Sequence, residues 1–228
     1  MAPIFHSDKT PGIRYLVATM DDFDRVLKFT KVEFRNAEPC ARNFRMTPED
    51  IEAALRGTIE DSLKQNLSIL AIDDTDRIVG YRIAMMAERS SWKKKESSND
   101  GEQEDLTEAA IFGSLITGVK NDMWKLIPEG IDRVVRRELT CVRTDFQGKG
   151  IGTQLAVQNF SDELLKSLEI QAIVSETTSK ANQHLLRKLG FEALSTIKYA
   201  DAFAEAGWKE HIQLDDGTEH LIVNYRKL

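Results

Sequence analysis

The chain has 228 residues, 41% hydrophobic and 30% charged, with 13 glycines and 5 prolines; it can bury a sizeable core and is too apolar for disordered or collagen-like material. Its net charge of −6 supplies no global basic footprint, which argues against a nucleic-acid partner. The two cysteines, Cys40 and Cys141, form no C-x-x-C pair and stand at no ligand spacing from a histidine, which argues against a disulfide scaffold and a zinc site and for a reducing compartment.

The first residues lack a basic start followed by an apolar run, and no stretch reaches the ~18 apolar residues of a membrane span. The expectation is a cytoplasmic chain forming a single domain over residues 1–228, without a membrane partner. Residues 13–17 read as a strand, and Thr19-Met20-Asp21-Asp22 offers a capped start for a helix burying Phe23, Val26, Leu27, Thr30 and Phe34. Pro39 interrupts the pattern. Thr47 and Pro48 restart a helix as cap and first residue, with Ile51, Ala54, Leu55, Ile59 and Leu63 as its buried stripe.

Residues 67–72 and 78–86 are apolar, β-compatible runs joined by a turn rich in aspartate, the pattern of a hairpin. Residues 90–105 hold one large apolar residue, Trp92, beside Lys93-Lys94-Lys95, serines and acids, and read as a polar, solvated insertion. Leu106, Ala109, Ala110, Ile116 and Val119 keep helical spacing, and 134–142 reads as a strand. One helix from Gly150 is expected to carry Ile151, Leu155, Leu164 and Leu168 inward. Residues 172–175 form a buried strand, 181–189 a helix ended by Gly190, and 191–199 and 221–225 closing strands.

Gln147-Gly148-Lys149-Gly150-Ile151-Gly152-Thr153 lies between a strand and a helix. Its glycines let successive backbone N–H groups point at one anion, with the helix N-terminus behind them, so a phosphorylated ligand is expected. A Walker loop needs Ser or Thr directly after its Lys, and Gly150 stands there. A dinucleotide fingerprint needs a third glycine where Thr153 stands.

Gln147, Gly150 and Gly152 satisfy the pattern Gln/Arg-x-x-Gly-x-Gly/Ala and resemble the acetyl-coenzyme A loop of the GNAT superfamily of N-acetyltransferases. The strand 138–142, Phe146, Asn182 and Lys188-Leu189-Gly190-Phe191 match that family in order and spacing. The resemblance implies an α/β GNAT fold: a mixed, mostly antiparallel central sheet of about seven strands, flanked by helices and splayed between its central strands. It implies acetyl-CoA as co-substrate, with the pyrophosphate on the amides of residues 147–153, the pantetheine beside Cys141 and Val142, the Val142 amide on the thioester oxygen, and Asn182 on the cofactor. Arg143 and Lys149 flank the expected pyrophosphate.

Attack on a thioester requires a neutral amine, hence a base. Glu38 is the candidate, because Glu38-Pro39 breaks the chain between two helices where a loop carboxylate can face the cleft. Ala37-Glu38-Pro39-Cys40 also resembles the Asp-Glu-Pro-Leu segment of the animal arylalkylamine (dopamine) N-acetyltransferases, whose glutamate is a general base. Tyr199-Ala200-Asp201 extends that likeness. Cys40 replaces the Leu, and Thr178 and Asn182 stand for two serines of that branch. Leu186 occupies the place of the tyrosine acid used by many relatives. Thr178 is either a proton relay or the cap of the helix beginning near Lys180.

Cys141 reads as a small buried hydrophobe, so direct transfer without an acyl-enzyme is expected. His6, His184, His211 and His220 form no ligand pattern, and no metal is expected. The function implied is acetyl-CoA-dependent N-acetylation of the primary amine of an arylalkylamine of the dopamine, serotonin, octopamine or tyramine type, by a monomer or weak dimer. The alternatives are a polyamine or peptide amine acceptor, or a non-catalytic coenzyme A-binding module.

Overall fold

A computed structural model describes residues 4–92 and 107–228. The expected insertion at 90–105, with Lys93-Lys94-Lys95, lies outside the described residues except for its first three positions, as does Leu106.

Among the described residues eight strands form one sheet in the order β1-β2-β3-β4-β5-β6-β8-β7. They are β1 (Ile4–His6), β2 (Arg14–Val17), β3 (Ile69–Ile72), β4 (Ile78–Glu88), β5 (Arg133–Val142), β6 (Ala172–Thr177), β7 (Glu192–Lys198) and β8 (His220–Lys227). Every neighbouring pair is antiparallel except β5 with β6. The sheet thus has one strand more than the expected seven, because the three-residue β1, with only Phe5 partly buried, carries almost no alternation to read.

Helix α1 (Phe23–Phe29) runs through a wide π turn at Thr30–Phe34 into α2 (Arg35–Ala37). Glu38 is extended, and Pro39 opens α3 (Pro39–Asn43). α4 (Pro48–Leu63) starts at the expected Thr47 cap, which forms a reciprocal box: the Asp50 amide donates to Thr47 Oγ1 at 3.1 Å and the Thr47 amide to Asp50 Oδ2 at 2.8 Å. Ile51, Ile59 and Leu63 are buried, but Ala54 faces solvent, since the packed stripe passes through Leu55 and Ser62 instead. α5 is Glu108–Leu126.

The single helix expected after Gly150 is two, α6 (Ile151–Val157) and α7 (Asp162–Ser167). The buried Arg82 causes the stop: its Nη1 donates to Leu155 O at 2.9 Å and to Gln158 O at 2.8 Å, taking carbonyls that another helical turn would need. The phase therefore resets at Ser161, and Leu165 is buried in place of Leu164 and Leu168. α8 is Lys180–Lys188, and α9 (Tyr199–Glu205) follows β7, where only the end of a strand was expected.

Strand alternation sorts the helices onto two faces. Val134 and Val174 pack in the layer that holds Cys40 of α3, Phe44 just after it, Trp124 of α5 and Phe203 of α9, while Tyr81 and Cys141 meet α1 and α4 on that same face. Val135 and Ile173 pack against Leu165 of α7 and Leu186 of α8, and Val79 against Leu155 of α6. Along the parallel pair only Val134, Val135 and Arg136 meet Ala172, Ile173 and Val174. Beyond them Ile83 pairs with Leu139 and Ala84 with Arg137, leaving Glu138 as an extra residue in β5. Such a bulge bends its strand, and the sheet opens into a gap between β5 and β6.

No described helix is long and apolar enough to cross a membrane.

Candidate active site

The C-terminal ends of the parallel strands β5 and β6 lie at one end of the sheet, so the loop after Val142 and the residues after Thr177 flank the mouth of the gap. Backbone pairing decides what β5 offers there. The Arg143 amide donates to Val79 O at 2.9 Å, and alternation along an antiparallel ladder then turns the amides of Thr140 and Val142 away from β4, toward the gap. Cys141 turns the other way: its amide faces β4, and its thiol packs in the α1–α4 layer, where burial pushes its pKa up. Of the two residues expected to border the pantetheine, Val142 offers a donor, and Thr140, which carried no sequence signal, is its counterpart.

The side chain of Gln147 turns back and donates its Nε2 to Val142 O at 3.0 Å. Gly148 (φ 73°) and Gly150 (φ 84°) are left-handed, a region open to glycine at little cost, and Gly150 is the cap residue of α6. The amides of Thr153 and Gln154 bond to Gly150 O, while those of Ile151 and Gly152 belong to the first turn, which has no intrahelical acceptors. A Cβ on Gly152 would lie 3.9 Å from both Leu185 and Val142, so this glycine sits where α6, α8 and the end of β5 converge. Lys149 Nζ lies over the Phe146 ring at 4.8 Å. Arg143 is bound by Asp145 through two bonds of 2.7 and 2.6 Å, which leaves it less free than Lys149 to attract a second anion.

On the opposite face, the turn between α2 and α3 carries Glu38. One carboxylate oxygen, Oε2, accepts the Ala41 amide at 2.6 Å and caps α3; the other, Oε1, accepts the Thr178 hydroxyl at 2.8 Å. Burial raises the Glu38 pKa above the ordinary carboxylate value, and these hydrogen bonds and the charge of Arg42 oppose the rise. Arg42 is clamped by Asp215, with bonds of 2.7 and 2.6 Å, and donates to Asn36 O at 2.8 Å, so it ties the loop before β8 to the turn that carries Glu38. Neither Arg42 nor Asp215 stood out in the sequence, because their pairing spans 173 positions.

Thr178 does not cap α8. That role belongs to Ser179, whose Oγ accepts the Asn182 amide at 3.4 Å, and the Thr178 hydroxyl is turned to Glu38. Asn182 Oδ1 is buried without a partner among the described residues. Leu186, at the place of the tyrosine acid, is fully buried. The loop donors, the two gap-facing amides and the unpaired Asn182 oxygen suit a ligand with an anionic head and an amide-bearing arm, which is the chemistry of coenzyme A. The four histidines are dispersed, and no metal-holding group occurs among the described residues.

No protein-family model and no curated protein matches the chain. Solved structures do. Arylalkylamine N-acetyltransferase 2 from Aedes aegypti superposes with a TM-score of 0.74 at 22% identity, over 94% of this chain and 98% of that one. A mosquito arylalkylamine N-acetyltransferase-like 5b gives 0.72 at 18%, over 95% and 100%. The Drosophila melanogaster polyamine N-acetyltransferase, which forms N-acetylagmatine, gives 0.70 at 15%, over 95% and 100%. The chain therefore has the GNAT fold, in the form taken by arylalkylamine and polyamine N-acetyltransferases.

Proposed function

We propose that this chain is an acetyl-CoA-dependent N-acetyltransferase, a single catalytic domain that acts on the primary amine of a small arylalkylamine of the dopamine, serotonin, octopamine or tyramine type. The observation that carries this reading is the Glu38–Thr178 hydrogen bond of 2.8 Å at the mouth of the gap, on the sheet face opposite α6 and α8. It gives an amine arriving on that face a base, while the loop and Asn182 serve the acyl donor from the other side.

In this reading the amides of residues 148–152 hold the pyrophosphate of the cofactor, aided by Lys149; the Gln147 and Thr153 amides, expected to share this role, are bonded to Thr144 O and Gly150 O instead. Asn182 and the edge of β5 hold the pantetheine. The Val142 amide, preorganised by the ladder, donates to the thioester oxygen as negative charge develops there. Glu38 removes a proton from the ammonium form of the substrate, which frees the nitrogen lone pair for attack. Its raised pKa brings its basicity closer to the working range of a general base near neutrality. Thr178 orients the carboxylate and relays a proton, a role supported by its hydrogen bond to Glu38. A covalent acyl-enzyme is not needed, since the buried Cys141 thiol faces away from the gap.

A net charge of −6 favours the approach of cationic amines. A polyamine acceptor is the second reading, favoured by the likeness to the N-acetylagmatine-forming enzyme. Turnover of acetyl-CoA with a panel of arylalkylamines, polyamines and peptide amines tests both. Highest kcat/KM for an arylalkylamine supports the first and for agmatine or a polyamine the second; cofactor binding without turnover of any amine leaves a coenzyme A-binding module.

A further inference from the structure

The closed end of the gap, on the face that carries α6 and α8, holds a guanidinium without a counter-charge. Arg137 pairs with Ala84 and lies two residues after Val135, on the same face of β5. It is 1% exposed. Its Nη2 donates to Thr140 Oγ1 at 3.1 Å, so the side chain runs along β5 toward the loop end, while Nε and Nη1 are buried with no acceptor among the described residues.

The neighbouring charges make this worse. Its electrostatic neighbours on that face are Arg82 and Arg226. Arg82 hands its terminal nitrogens to three backbone carbonyls, whereas Arg137 has one hydroxyl. Glu138 is engaged with Lys120 and Arg136, and Glu176 faces Arg136, on the opposite face of the sheet. Among the described residues no carboxylate lies within ion-pair distance of Arg137. Burial and Arg226 lower its pKa to about 10, which still leaves it charged at neutral pH. A buried cation with unused donors is unfavourable until an anion completes it.

We propose that Arg137 is an acyl-end subsite, whose free Nε and Nη1 donate to the carboxylate of a short dicarboxylic acyl group, of the succinyl kind, carried on coenzyme A. The inference rests on the coenzyme A reading above and extends its acyl donor from acetyl-CoA to a preferred thioester of the succinyl kind. The anion belongs to the acyl donor and not to the amine, because Arg137 shares its face with α6 and α8 and Glu38 stands on the other. From Val142, the strand rise of ~3.3 Å per residue puts Thr140 and the guanidinium beside it roughly 7 Å toward the closed end, beyond the span of an acetyl group. The transfer keeps its balance: the amine N–C bond forms, the C–S bond breaks with its electron pair on sulfur, and of the two protons the ammonium loses one passes through Glu38 to the thiolate and the other to water, so that coenzyme A leaves as the thiol.

Titration calorimetry of the full chain with succinyl-CoA, acetyl-CoA and coenzyme A tests this, together with kcat/KM for both thioesters and the melting temperature of the unliganded protein. The wild type is expected to bind succinyl-CoA about tenfold or more tighter than acetyl-CoA. Arg137→Met is expected to lose roughly thirtyfold for succinyl-CoA, as when one partner of a buried charge pair is removed, with under about threefold change for acetyl-CoA, and to melt no lower than the wild type. Equal wild-type affinities, equal losses for the two thioesters in the variant, or a variant that melts lower and binds neither overturns the inference. Failure of the wild type to bind any of the three ligands overturns the coenzyme A reading instead.

Discussion

The hydroxyl of Thr178 donates to Oε1 of Glu38 at 2.8 Å, joining residues 140 positions apart. This bond makes one site of the end of β6 and the turn between α2 and α3. It exists because Ser179, the next residue, takes over the cap of α8 and leaves Thr178 free to turn inward.

Replacing Glu38 by Gln removes the proposed base and is expected to lower kcat by about 10²- to 10⁴-fold. In the wild type the acid limb of kcat/KM is expected above the ~4.3 of an unperturbed glutamate, because burial raises this pKa; the variant lacks that limb. Stability moves in the opposite sense. A raised carboxylate pKa means that the folded state binds the proton more tightly, so this group favours folding at acid pH and disfavours it as pH rises through its folded pKa. Melting curves are expected to show Glu38→Gln more stable than the wild type at neutral pH, with the difference shrinking toward acid pH.

Thr178→Ala removes a hydrogen bond that favours the charged carboxylate, so the acid limb should move to higher pH and kcat should fall. Thr178→Ser, which keeps the donor, should restore both. An unmoved limb in the alanine variant assigns Thr178 a packing role only.

Arg42→Ala removes a cation that lowers the Glu38 pKa and a tether of its turn. Its acid limb is also expected to shift upward, and Asp215→Ala is expected to loosen the same turn. A double-mutant cycle on kcat/KM should give a coupling of about 1 kcal/mol or less, since both groups are partly exposed.

Gly150→Val places a branched side chain at φ 84°. The nearest atoms to the new Cβ would be Thr10 Cγ2 at 3.7 Å and Lys9 O at 3.8 Å, so the penalty is backbone strain of roughly 1–2 kcal/mol more than collision. Calorimetry with coenzyme A should show weakened binding, and the melting temperature should fall.

Cys141→Ala tests direct transfer. With the thiol buried in the α1–α4 layer and its pKa raised by burial, turnover is expected to persist and mass spectrometry to find no acylated cysteine. Loss of turnover in a well-folded variant would reinstate an acyl-enzyme.

Local signals were legible where a short stretch of chain decides the geometry. The Thr47–Asp50 cap, the hairpin of β3 and β4, and the glycines at 148 and 150 each depend on a few neighbouring residues, and each stands where the residue pattern puts it. The α6–α7 break was hidden because its cause, Arg82, is 73 positions from the carbonyl it occupies. Thr178 read equally as a cap or a relay, since both uses suit an extended residue just ahead of a helix, and only the position of Glu38 separates them.

The amino-acid sequence by itself determined the acidic charge of this chain, most of its strand and helix order around a glycine-rich strand-to-helix loop, and a carboxylate held in a break between helices, because propensity, capping and turn chemistry act over a few residues. Only the tertiary structure decided which donors face the gap, which face Glu38 occupies, and that Arg137 lies buried without a counter-ion among the described residues. Those depend on ladder register, on the bulge at Glu138, and on contacts between residues more than a hundred positions apart, and no local pattern encodes them.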